Sequence, residues 1–271
     1  MSAPTISPQR AAAICTRAAE AQATTGADWA DAVQYTIRSL IDRLVVARVL
    51  PAPRLPRPVL PAAETTLDEL GPLVGWHVND LGEVHQLLLE LTPVTAADGS
   101  VRASRPNQGR RDSQGAWYTP PEVSAAMSRL SLAPQIDRLV ADEDPGAIFD
   151  LAVIDPACGA GVMLIEAARF IAAHLAARVN GRYPAPAAHV RAALPVVMTS
   201  CIYGVDIDPV AVDLAKTALW LEVGGRAPFT FMDRNIVVGN ALEDDVPPAY
   251  RERYGDTGHR TLTTTTAGAL T

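Results

Sequence analysis

The segment that most limits what this chain can fold into is Ile154-Asp-Pro-Ala-Cys-Gly-Ala-Gly-Val-Met-Leu164. A short apolar run ends in Asp155, Gly159 and Gly161 open a tight turn, and an apolar-faced stretch runs from Gly161 to Ala177. Strand, glycine turn and helix begin a βαβ unit, and the residues beyond repeat the alternation that marks a parallel sheet. Ala152-Val-Ile reads as the first strand, Ser200-Cys-Ile-Tyr-Gly-Val as the second and Asn235-Ile-Val-Val as the third. Pro209 suits the first position of a helix, where its missing N–H costs nothing, and that helix runs to about Leu221. The fold class is therefore α/β.

The same turn carries chemistry. Glycine at 159 and 161 lets backbone approach a ligand with no Cβ in the way. The helix start behind them offers free N–H groups to a carboxylate or phosphate. Asp155, at the strand end, suits a cationic group such as the α-ammonium of an amino acid. A dinucleotide site asks for a third glycine near 164, where Leu164 stands, and an acidic residue fits poorly beside a pyrophosphate. Gly204-Val-Asp-Ile-Asp-Pro209 puts Asp206 at the tip of the second strand, where a carboxylate accepts both hydroxyls of a ribose. Ile207 beside it can pack on a base. Val238-Gly-Asn-Ala-Leu242 follows the third strand, and Asn240 can hydrogen-bond the exocyclic amine of adenine. Upstream, Gly115-Ala-Trp-Tyr-Thr-Pro-Pro-Glu-Val123 puts aromatic and hydroxyl residues, Tyr118 and Thr119 among them, ahead of a helix, where they can wall a pocket.

Residues 8 to 50 read as helical, with Trp29, Val33, Ile37, Leu40, Ile41, Leu44 and Val45 on one face. Arg38, Arg43 and Arg48 mostly fall off that face, on a solvated flank. Pro51 to Pro61 form an extended connector. A second helix is expected from about Leu81 to Leu91. Residues 95 to 114 read as a mobile basic loop holding Arg102, Arg105, Arg110 and Arg111, either the segment best suited to phosphate contact or a plain disordered linker. The net charge of -7 argues against a protein that coats nucleic acid. Cys15, Cys158 and Cys201 show no CxxC spacing and the histidines no ligand spacing, so no metal site follows, and a reducing cytoplasm is the expected location. No apolar run approaches the ~20 residues of a membrane span.

Taken in order, Gly-x-aromatic-Tyr-Thr-Pro, Asp-Pro-Ala-Cys-Gly-x-Gly, Gly-x-acid-x-Asp-Pro and Gly-Asn-x-Leu resemble the adenine-specific DNA methyltransferases. The resemblance is to those of restriction–modification and phage-defence systems, type I modification subunits and fused type IIG enzymes included. Leu81-Gly-Glu-Val-His-Gln-Leu-Leu, Arg110-Arg-Asp-Ser-Gln-Gly, Trp220 and Phe231-Met-Asp-Arg-Asn-Ile fit the same pattern, so that it covers roughly residues 30 to 242. It implies a partial doubly wound, Rossmann-like core that uses S-adenosyl-L-methionine, preceded by a helical N-terminal region. The implied division is 1–110 helical with its proline connector, 111–250 the cofactor-binding half-domain and 251–271 a disordered tail. The implied cofactor contacts are Tyr118 and Thr119 upstream, Asp155, Ala157, Gly159 and Gly161 in the first turn, Asp206 and Ile207 in the second, and Asn240 in the third.

The family's catalytic element, Asn or Asp, two prolines, then Tyr or Phe, has no match in the sequence. The nearest segment is Asp245-Val-Pro-Pro-Ala-Tyr250, with one extra residue on each side of the proline pair, and it reads as a proline turn. No catalytic residue is therefore assigned. A protein partner or a further C-terminal part is expected to carry the catalytic and target-recognition elements, and the chain alone to bind DNA weakly and without sequence preference. The alternative is a non-catalytic cofactor-binding or assembly module of a split complex, or a truncated remnant.

Overall fold

The structure is a computed structural model that describes residues 6–48, 61–71, 73, 75–76, 78–105, 119–140, 144–243 and 245–255. It divides into two compact units, Met1–Tyr118 and Thr119–Thr271.

In the first unit the expected single helix is two, α1 (Pro8–Thr24) and α2 (Trp29–Arg48). The break has a local cause. Gly26 takes a positive φ of 100°, and the Asp28 carboxylate accepts from the N–H of Ala30 at 2.8 Å, capping a new helix start. The alanine face of α1 (Ala11, Ala18 and Ala19, all fully buried) packs against α2, whose Ile37, Leu40, Ile41 and Leu44 are equally buried. The short helix α3 (Pro61–Leu67) follows. Helix α4 spans Val78–Leu89, earlier at both ends than expected from Leu81 to Leu91. The indole N–H of buried Trp76 donates to the Ile6 carbonyl at 2.9 Å.

The expected basic loop is in its first part a β-hairpin, β1 (Thr92–Thr95) antiparallel to β2 (Val101–Ser104). Asp98 and Gly99 make the turn: Gly99 has φ 82°, and the Asp98 carboxylate accepts from the Ser100 N–H at 2.9 Å. Helix α1 holds the hairpin, because Glu20 Oε1 accepts from the Ala103 N–H at 2.7 Å. Arg102 thus sits on a strand, 4.0 Å from Glu20. The proline connector before Pro61, the residues Arg110 and Arg111, and the segment Gly115–Tyr118 lie outside the described residues.

The second unit opens with α5 (Pro121–Val140). A three-stranded parallel sheet follows, β3 (Val153–Asp155), β4 (Ile202–Asp206) and β5 (Ile236–Val238), in the order β3-β4-β5. Helices α6 (Val162–Asn180) and α7 (Ala187–Cys201) connect β3 to β4, and α8 (Pro209–Glu222) connects β4 to β5. Each strand matches the expected one to within two residues, except that Ser200 and Cys201 end α7. Strand β4 is buried along Ile202–Val205, whereas all of β3 is half-buried. A last helix, α9 (Pro248–Tyr254), takes in the first four residues of the expected tail, and Arg253 donates to the Ser200 carbonyl at 2.8 Å. Among the described residues no helix is long and apolar enough to cross a membrane.

Candidate functional site

Parallel strands deliver their carboxyl ends to one edge, and here that edge gathers acidic and glycine residues. Asp155 closes β3 and Asp206 closes β4. The register pairs Asp155 with Gly204, so Asp206 stands two residues further along the neighbouring strand. The turn after β3 is stitched to β4: Cys158 N–H donates to the Val205 carbonyl at 2.9 Å and Gly159 N–H donates to Asp206 Oδ2 at 2.8 Å. Asp206 Oδ1 accepts from the Asp208 N–H at 2.9 Å, and the Asp206 carbonyl accepts from the Gly239 N–H at 2.9 Å, tying in the end of β5. Each carboxylate oxygen of Asp206 therefore has one backbone partner and keeps capacity for another.

The three glycines that shape this edge differ in their reasons. Gly159 has φ +52° with open space where a Cβ would point. Gly161 has φ +81°, and its Cβ would lie 3.1 Å from the Cα of Ala215, so its small size serves the packing of α8 on the start of α6. Gly204 is a strand glycine whose Cβ would meet Leu164 Cδ1 at 2.9 Å and Cys158 Sγ at 3.1 Å. The sequence pattern contained Gly204 without revealing this role.

The electrostatics favour a cation. Asp155 accepts from the Ala157 N–H at 3.1 Å, yet burial and then the nearby Asp206 charge hold its carboxyl above the ordinary value of 3.8. Among the described residues neither aspartate has a basic partner. Burial and then both carboxylates push the buried Cys158 thiol up, and its Sγ packs 3.1 Å from where a Gly204 Cβ would lie. Ile207 is 74 % exposed and Leu242 88 % exposed, so two large apolar side chains stand in the open beyond β4 and β5. Asn240 follows β5 in a turn, where its Oδ1 accepts from the Leu242 N–H at 3.1 Å. Thr119 is half-buried ahead of α5, and Tyr118 lies outside the described residues. Asp155, Ala157, Gly159, Asp206, Ile207 and Asn240 thus come from three strand ends and the turns after them at one sheet edge, and Gly161 lies two residues beyond Gly159.

In the proline segment after β5, Tyr250 and Asp245 both have partners within the fold. Tyr250 is buried, its ring 5.3 Å from that of Tyr203 in a T-shaped contact. Asp245 Oδ2 accepts from the backbone N–H of Asn240 at 2.8 Å. Ring and carboxylate serve the fold on separate sides of Pro247 and Pro248.

In the class of open parallel α/β sheets, ligands bind outside the carboxyl ends of the strands, and the glycine turns and the two carboxylates here lie at that edge. The family comparison narrows the class. Residues 105–249, more than half of the chain, match the family model described as N-6 DNA methylase, and the chain belongs to that family of DNA methyltransferases. Neither the curated proteins nor the solved structures compared with it give a match.

Proposed function

We propose that this chain is the S-adenosylmethionine-binding part of a DNA methyltransferase that modifies the exocyclic amine of adenine in a restriction–modification or phage-defence system. The observation that carries the reading is the carboxylate pair, Asp155 and Asp206, on adjacent strand tips with the Gly159 N–H bonded to Asp206. A half-buried carboxyl with a second negative charge beside it, and no cation among the described residues, is relieved by an ammonium group, which the cofactor's methionine end carries. Asp206 retains acceptor capacity for ribose hydroxyls, and exposed Ile207 offers an apolar face to the adenine. On this reading β5-β4-β3 is one half of a doubly wound, Rossmann-like sheet.

When bound, the cofactor supplies the electrophilic methyl group. The residues of this chain bind and orient it. They do not hold the target base, because Tyr250 is buried against Tyr203 and is not free to stack on an extruded adenine. The proline-pair element and the recognition of the target are assigned to a partner protein or to a further part of the polypeptide. DNA binding by this chain alone is weak, unselective and salt-sensitive, in line with the net charge of -7. The burial of Tyr250 also favours the second reading, a non-catalytic cofactor-binding module of a split complex.

Calorimetry with S-adenosylmethionine tests the first reading. Binding that Asp206→Ala weakens about 10- to 100-fold is the expected result, the loss of hydrogen bonds whose partners stay unpaired. A chain that binds NAD and no methionine cofactor would sink it. A tritiated-methyl assay on mixed-sequence DNA separates the two readings: restored transfer with added Asn-Pro-Pro-Tyr-bearing partner makes the chain an enzyme subunit.

A further inference from the structure

The two side edges of the sheet differ. On β4, the Gly204 N–H donates to the Asn235 carbonyl at 2.9 Å and the Asp206 carbonyl accepts from the Gly239 N–H at 2.9 Å, so these two residues face β5. The Val205 carbonyl accepts from the Cys158 N–H at 2.9 Å, so Val205 and, by alternation, Tyr203 face β3. In a parallel pair such a residue bonds the two that flank its opposite number. Tyr203 is in register with Ile154. The backbone of Val153 and Asp155 therefore serves β4, and the N–H and carbonyl groups of Ala152 and Ile154 point out of the sheet. Among the described residues nothing takes them up. At the opposite edge the chain begins to close on itself, since the Ile236 N–H donates to the Met232 carbonyl at 2.9 Å.

The helix layer reaches past the open edge. Helix α8 packs on β4 and β5 and α6 on β3 and β4, whereas α5 packs on α6 and on the 3-10 turn Pro145–Asp150 that leads into β3, rather than on a strand. A helix about 10 Å wide covers about two strands spaced about 4.8 Å apart. Helices α6 and α8 suffice for three strands, and α5 overhangs them. Its Ser124, Ser128, Leu132 and Ile136 are buried, but Val123, Met127 and Leu130, at i, i+4 and i+7, are 47 %, 48 % and 78 % exposed.

We propose that the β3 edge and the α5 stripe form one docking surface, on which a partner polypeptide lays an apolar strand parallel to β3. This rests on the reading above that a partner carries the proline-pair element, and gives that partner its place. A strand parallel to β3 delivers its last residues beside Asp155, at the edge where the cofactor site is proposed. Like charges side by side repel, so the residue it brings there is neutral, as an asparagine is. The chain's own residues 256–271 do not suit the place: Leu262 and Leu270 are their only large apolar residues, and a strand covered on both faces is a nearly continuous apolar run.

The test uses the full chain and a fluorescent synthetic peptide of alternating valine and isoleucine ending in Asn-Pro-Pro-Tyr, followed by anisotropy and by hydrogen exchange. The peptide should bind and slow exchange of the Ile154 amide. Ile154→Pro, which removes only an outward N–H, and Met127→Glu, on the exposed stripe, should each weaken it roughly tenfold or more. Val179→Glu, an exposed position on α6, should not. No binding, binding without protection of Ile154, or binding indifferent to both Ile154→Pro and Met127→Glu overturns the proposal. So does binding that appears only once residues 256–271 are removed, which assigns the edge to the chain's own tail, or only on dilution of a dimer, which assigns it to a second copy. Calorimetry with S-adenosylmethionine on Met127→Glu keeps the readings apart: the cofactor should bind this variant as it binds wild type, whichever way the peptide result falls.

Discussion

The helical unit and the carboxyl edge of the sheet in the second unit treat their charged groups differently. In the first, charges meet within the unit: Arg17 pairs with Glu69 at 2.6 Å and Arg43 with Asp68 at 2.8 Å. The Trp76 indole finds a carbonyl, and Glu20 and Thr24 accept from the hairpin backbone. In the second, the carboxyl edge of the sheet leaves Asp155 and Asp206 without a cation among the described residues and holds Ile207 and Leu242 in the open. Self-satisfied groups mark scaffold. Groups held by backbone without a charged complement are what the proposed cofactor site is built from.

The largest effect should come from the scaffold. Leu40 is fully buried in α2, and Leu40→Ala should cost about 2–5 kcal/mol in urea unfolding through lost burial and the cavity left behind. Cofactor affinity at a temperature where the variant is folded should not change. A large affinity loss would break the contrast between the units.

Next come the two glycines of the first turn. Gly161→Ala combines left-handed strain with a 3.1 Å approach to Ala215 backbone, and should cost about 1–3 kcal/mol of stability. Gly159→Ala has the strain without the contact, so about 1 kcal/mol is expected. Its methyl group points into open space at the site, so its main effect should fall on cofactor binding. Thermal melts and calorimetry on both variants check the split.

Asp155 gives a pH signature. Its folded pKa is raised above the ordinary 3.8, so its ionisation opposes folding. The stability it gives is full below 3.8 and is lost as pH rises through the raised value. Asp155→Asn removes that dependence, and the unliganded variant should melt no lower than wild type at neutral pH. Cofactor affinity of wild type should fall as pH drops through the same window, because the ammonium needs the ionised form. A variant that melts lower and binds equally well would make Asp155 a structural residue. The smallest effect belongs to Arg17→Ala, where an exposed ion pair contributes about 0.2–1 kcal/mol.

The sheet was legible in the sequence because its strands are short apolar runs bounded by glycine and proline, and because Asp155 and Asp206 end them. Pro209, capped by Asp208 at 2.8 Å to the Val210 N–H, marked α8 equally well. The helical unit was less legible. The apolar face read from Trp29 to Val45 does not tell where the helix before it ends, and the turn depends on the positive φ of Gly26. Helix α7 went unseen because Pro195 lies inside it and its apolar run is as strand-like as helical. The hairpin passed for a loop since β1 and β2 have four residues each and are mostly exposed, held by hydrogen bonds to α1 from far along the chain. At the site, residue types told what Asp206 offers. They could not tell that Asn240 turns its oxygen inward, or that Asp245 closes that turn, since both depend on contacts made after the chain has folded.

The contact of Gly204 with Cys158 and Leu164 has an evolutionary consequence. Strand, turn and helix meet there with no spare volume, so the three positions can change only as a set. A related chain with alanine at the place of Gly204 should carry a smaller residue at the place of Cys158 or Leu164. In the laboratory the same constraint appears as epistasis: Gly204→Ala and Leu164→Ala, each harmful alone, should together cost less than the sum of the two.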